Sequence, residues 1–123
     1  MSHSASYLRS HRKRSGMNLN DVARLLGYLH GGEISRHERK KVLPSLHIAL
    51  RYEALYRVPI SDLFPAQFEE AKREIEQRLA SLIDDCKQST ARGRAAAMIA
   101  RKIEWAWERE NRESLNLFNP GNA

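Results

Sequence analysis

Asn18 to Arg39 reads NLNDVARLLGYLHGGEISRHER, and the order of residues in this stretch decides the fold. Asn18 stands where a helix N-cap belongs, and Asp21 follows in the capping-box place, where a carboxylate also suits the positive end of the helix. Leu19, Val22, Ala23 and Leu26 recur at helical spacing and predict the buried face of a helix that stops at Gly27. Asn20 and Arg24 are its outward residues. Tyr28 to Gly32 is too short and too glycine-rich for another element, so it predicts a tight turn. Ile34 and His37 then share one face of a helix from about Gly32 to Arg39, while Glu33, Ser35, Arg36 and Arg39 populate the rest. A short, mostly polar helix is useful when it presents that side to a partner, although a solvated face has the same composition.

Upstream, a first helix is expected from about Ser6 to Ser15, with Gly16 as a left-handed C-cap. Downstream, Pro44 and Ser45 open a fourth helix with Leu46, Ala49, Leu50, Tyr52 or Glu53, and Leu55 to Tyr56 spaced to pack on the preceding helices. Val58 to Phe64 predicts a turn and a short helix, with Ser61 as its N-cap and Ile60, Leu63 and Phe64 closing the core. Glycine and proline punctuate the chain densely as far as Pro65 and are absent between Gly93 and Pro120. A compact all-helical domain over residues 1–65, followed by long helices over 66–123, is therefore expected. In the second part Phe68, Ala71, Ile75, Leu79, Leu82 and Cys86 form one stripe. Ser89 or Thr90 can cap a further helix to about Glu113, with Ala96, Ile99, Ile103 and Ala106 on its apolar side. Trp105 and Trp107 lie about 200° apart on such a helix, which predicts one packed inside and the other open to a partner.

The chain has 123 residues, 41% hydrophobic and 29% charged, which suits a soluble globular protein with a packed core and argues against a large multidomain enzyme. Its net charge of +6 is unevenly distributed. Residues 1–65 hold 11 basic and 5 acidic side chains, whereas 66–123 hold 10 of each, so the whole excess lies in the first half. A polyanion partner and a merely solubilising surface both account for that excess on charge alone. The longest apolar run, Ala95 to Ala100, is far below the roughly 20 residues of a membrane helix, and no secretory signal is read at the N-terminus. With a single cysteine, Cys86, a cytoplasmic location is expected. The five histidines and one cysteine show no zinc-ligand spacing. There is also no GxxxxGK[ST], GxSxG or HExxH pattern. No enzyme activity, metal or cofactor is expected.

The segments LRSHRKRSGMN (Leu8 to Asn18), DVARLLGY (Asp21 to Tyr28), ISRHER (Ile34 to Arg39) and the later PSL and VPISDLF, taken in register, resemble the lambda-repressor-like (Xre/Cro) helix-turn-helix family over about Tyr7 to Pro65. The resemblance implies an all-α fold, a five-helix helix-turn-helix domain followed by a C-terminal helical extension. It also implies a third helix in the major groove of double-stranded DNA, with the second lying across the backbone. Carried over residue by residue, the base-probing positions are His30, Gly31, Gly32, Glu33, Ser35 and Arg36. Asn18, at the start of the second helix, and Arg24 on it are further DNA-binding positions, and Arg39, Lys40 and Lys41 form a cationic run beside the phosphates. Arg36 can donate two hydrogen bonds to a guanine or can simply pair with Glu33. Glu33 can accept from a cytosine amino group or repel phosphates. Arg12 and Glu38 occupy positions that in the family often form an ion pair.

The chain departs from the family at Leu19, where a glutamine is common, in a turn one residue longer than usual, and at Gly31 and Gly32, which replace larger polar residues. Lys40 takes the usual glycine C-cap, and His37 falls where a large apolar residue is favoured and so is expected as a packed histidine. Gly31 and Gly32 are compatible with a closer backbone approach to DNA and more reliance on its shape. The expected function is a sequence-specific, dimeric transcriptional regulator, most simply a repressor at a pseudo-palindromic operator, with residues 66–123 making the homodimer. The alternative is an antitoxin-type protein whose C-terminal helices neutralise a protein partner and whose DNA binding serves autoregulation.

Overall fold

A computed structural model describes residues 7–118, with side chains through Arg112. Ser6, the expected start of the first helix, and His3 lie outside the described residues. Among those residues the chain is all-α, with seven helices and no strand: α1 Tyr7–Ser15, α2 Leu19–Leu26, α3 Gly32–Glu38, α4 Leu46–Tyr56, α5 Ile60–Leu63, α6 Pro65–Lys87 and α7 Arg94–Phe118. It divides into two compact units, Met1–Glu70 and Ala71–Ala123, with the division inside α6.

In the first unit local chemistry accounts for the helix ends. Asn18 Oδ1 accepts the Asp21 N–H at 2.8 Å while Asp21 Oδ2 accepts the Asn18 N–H at 3.0 Å, which completes the capping box. Gly16 and Gly27 take left-handed φ values of 79° and 92° after α1 and α2. Ser45 caps α4 through its side chain. Ser61, by contrast, lies inside α5, whose N-cap position is taken by Pro59. Glu53 on α4 satisfies that helix end from a distance, its Oε1 accepting the Ile60 N–H at 2.9 Å.

Leu8, Val22, Ala23, Leu26, Ile34, Tyr52 and Leu63 make the core, so every one of α1 to α5 contributes to it. α3 is held into this core on three sides. Ile34 is fully buried. His37 is buried with Nδ1 2.8 Å from the Tyr52 hydroxyl, its ring meeting Tyr52 edge-on and tilted against Tyr28. Glu38 receives Arg12 of α1 in a two-pronged contact, Nε to Oε2 at 2.7 Å and Nη2 to Oε1 at 3.0 Å, with only 12% and 5% of the two side chains exposed.

Burial lowers the His37 pKa from its ordinary value near 6.5, and the nearby Glu33 carboxylate only partly opposes this. The folded state therefore favours the neutral ring. Its contribution is fully present above about pH 6.5 and is lost as pH falls through that value toward the lower folded pKa, because the unfolded chain binds the proton first. The melting temperature is expected to fall over that window, with the His37 ring resonance titrating below 6.5. A ring that titrates above 6.5 would contradict the buried assignment.

Lys40 and Arg57 are the only non-glycine residues with positive φ among the described residues, at 62° and 58°. Both follow a helix. Past α3 the Lys40 N–H donates to the His37 carbonyl at 3.1 Å and the Lys41 N–H to the Arg36 carbonyl at 2.9 Å, the pair of bonds that closes a Schellman motif. Glycine normally fills that position, and a side chain there costs about 1 kcal/mol.

In the second unit α6 and α7 present Leu79, Ile83 and Cys86 on one helix and Ala96, Ile99, Ile103 and Ala106 on the other as their covered or half-covered apolar residues. Arg109 joins Glu76 by a fork of 2.6 and 3.2 Å. The outcome differs from the expected stripe: Ile83 turns inward, while Ile75 and Leu82 are about half exposed, as is Phe68 in the part of α6 that belongs to the first unit. Residues seven apart lie on one edge of a helix, and a single partner helix covers only part of so wide a stripe. Both tryptophans are exposed, Trp105 by 52% and Trp107 by 66%, so neither packs inside. α7 starts at Arg94 behind a left-handed Gly93, and Ser89 Oγ instead accepts the Ala91 N–H within the turn.

Candidate nucleic-acid interface

The segment between α2 and α3 is set by one close approach. Gly31 is buried, and its N–H donates to Asn20 Oδ1 at 2.9 Å. A Cβ on Gly31 would stand 2.6 Å from Leu19 Cβ, 3.0 Å from the Leu19 carbonyl carbon and 3.2 Å from Asn20 Oδ1. With φ at −77° the backbone there suits any residue, so glycine is required by space alone. Leu19 and Asn20 accordingly hold the start of α3 against α2, a role for Asn20 beyond that of an outward residue. The two helix starts flank a shallow depression of about 670 Å³ lined by Arg12, Asn18, Leu19, Asn20, His30, Gly31, Gly32 and Ser35.

This depression gathers Asn18, His30, Gly31, Gly32 and Ser35 from the residues singled out in the sequence, but not Arg24, Glu33, Arg36, Arg39, Lys40 or Lys41. His30 is exposed, with Nδ1 3.4 Å from the Gly32 N–H nitrogen. The Asn18 side chain is engaged in the capping box. Ser35 is half-buried and Arg24 exposed. Arg36 is 60% exposed and donates to Glu33 Oε1 at 3.1 Å across one helical turn. Arg39, Lys40 and Lys41 are exposed, and none forms an ion pair with a carboxylate among the described residues. Leu29, in the same turn, is fully exposed; an apolar residue inside a polar turn was the signal for it.

These groups can donate hydrogen bonds and offer positive charge; among the described residues no cluster of His, Cys, Asp or Glu is arranged to hold a metal ion. No described helix is long and apolar enough to cross a membrane. Comparison of the chain with family models, curated proteins and solved structures gives no match.

Proposed function

We propose that α1 to α5 form a lambda-repressor-like (Xre/Cro) helix-turn-helix and that the protein is a sequence-specific, double-stranded DNA-binding transcriptional regulator, acting as a homodimeric repressor at a pseudo-palindromic operator. The observation that carries this reading is the two-sidedness of α3. Ile34, His37 and Glu38 are buried, while Arg36 and the following Arg39, Lys40 and Lys41 stand exposed. The Arg36 to Glu33 pair is no obstacle to DNA contact. An exposed pair of this kind is worth about 0 to 1 kcal/mol, less than the roughly 1 to 3 kcal/mol of discrimination from a bidentate contact to guanine. Arg39, Lys40 and Lys41 serve phosphates and carry no sequence information. The exposed Ile75, Leu82, Met98 and Trp105 of the second unit support association with a second copy, which a paired operator with half-sites about 34 Å apart requires.

A second reading has one observation in its favour. A cleft of about 330 Å³ between α6 and α7 is lined by Leu79, Ala80, Ile83, Ile103, Ala106 and Trp107. An antitoxin-type protein would use such an apolar groove to seat a partner protein. A stoichiometric protein partner on purification favours this reading, and a lone homodimer that binds its own promoter favours the first.

Selection of bound duplexes from fragmented genomic DNA tests the proposal. Arg36→Ala is expected to relax preference at one base pair by about 5- to 150-fold. Lys41→Ala is expected to weaken all sequences alike and to reduce the slope of log affinity against log salt by about one. Equal, sequence-independent losses from both variants would contradict the division of roles.

A further inference from the structure

Two cations occupy left-handed backbone positions, Lys40 after α3 and Arg57 after α4. A positive side chain is favoured at a helix C-terminus, a preference that applies to both alike. They differ in what surrounds them. Lys40 stands between Arg39 and Lys41 in a run that forms no ion pair with a carboxylate among the described residues. Arg57 borders a depression with Leu50, Glu53, Ala54, Val58 and Pro59, away from any such run. Lys40 borders a small cavity of about 40 Å³ with Tyr7, His37 and Leu43, while the residue as a whole is exposed. Glycine would complete the Schellman bonds without strain, since those bonds use only backbone atoms.

We infer that Lys40 is held in a strained conformation because its ammonium group binds a DNA phosphate, so that this position exchanges stability for affinity. The inference rests on the proposed DNA-binding role and adds to it a residue where folding and binding pull in opposite directions. Such strain belongs at functional positions, where the surrounding structure over-determines it. Because the contact is to phosphate, it is independent of sequence and appears as released counterions.

The experiment compares the full-length wild type with Lys40→Gly and Arg57→Gly, using thermal melting and binding to a labelled mixed-sequence duplex of about two helical turns over a salt series. Both variants are expected to melt about 3 °C or more above wild type through relief of the left-handed strain. Only Lys40→Gly is expected to bind more weakly, with a salt slope smaller by about one. Lys40→Gly that binds with unchanged affinity and slope, while the wild type binds normally, overturns the inference and leaves the DNA-binding role standing. A Lys40→Gly melting temperature no higher than wild type overturns the strain, and equal loss of binding by Arg57→Gly overturns the assignment to Lys40. Wild type that fails to bind duplex even at low salt overturns both the role and the inference.

Discussion

Glu38→Ala is expected to destabilise the first unit by about 3 to 5 kcal/mol, because the buried Arg12 guanidinium would lose both prongs of its carboxylate partner and keep only its 3.2 Å bond to the Met17 carbonyl. For a unit of this size that is a fall in melting temperature of more than about 10 °C. The cost lies in stranding a charge rather than in the strength of the pair. Replacing Arg12 and Glu38 together by apolar residues of similar volume should therefore recover much of the loss, which a double-mutant cycle of denaturation midpoints measures. DNA affinity should fall with stability in the single variant, since Glu38 is the last residue of α3 and ties it to α1. An unchanged melting temperature in Glu38→Ala would show that the pair holds nothing together.

Gly31→Ala is the second large effect. A methyl group there would lie 2.6 Å from Leu19 Cβ and 3.0 Å from the Leu19 carbonyl carbon, and a backbone atom cannot turn aside as a side-chain tip can. α3 would have to shift against α2, straining the bond from the Gly31 N–H to Asn20. Overpacking of this kind costs about 1 to 3 kcal/mol. Gly32→Ala is the matched control. Its added carbon would meet only the His30 ring at 3.4 Å, and alanine favours a helix over glycine by up to about 1 kcal/mol. Thermal melting of the two variants is expected to give opposite signs. Equal stability would mean that the α2 to α3 approach is looser than these distances state. Binding by Gly31→Ala should weaken for every sequence and lose preference together, because the displaced element is the whole of α3.

The contrast between these two glycines marks the limit of what the amino-acid order discloses. Features governed by neighbours along the chain are legible: the capping box of Asn18 and Asp21, the left-handed Gly16, the helix stop at Gly27, and the shared inward face of Ile34 and His37. Gly31 invites a reading as space left for DNA, whereas its neighbour is Leu19, twelve positions away, and only the crossing of two helices brings them together. Ser61 fails as a cap for the same reason, since Glu53 on another helix takes over the task. In α6 the apolar stripe is wider than one partner helix covers, so periodicity alone does not decide that Ile83 turns inward and Ile75 and Leu82 outward. Arg12 and Glu38, twenty-six residues apart, are placed by family resemblance and not by spacing, and they do meet.

In the proposed role α3 reads the edges of bases in the major groove. Methylation interference on a duplex selected by the protein tests this directly, because guanine N7 lies in the major groove and adenine N3 in the minor groove. Methylated guanine N7 within each half-site is expected to block binding by the wild type, and interference at one of these guanines should disappear in Arg36→Ala. Interference confined to adenine N3, or a guanine pattern untouched by Arg36→Ala, would contradict it.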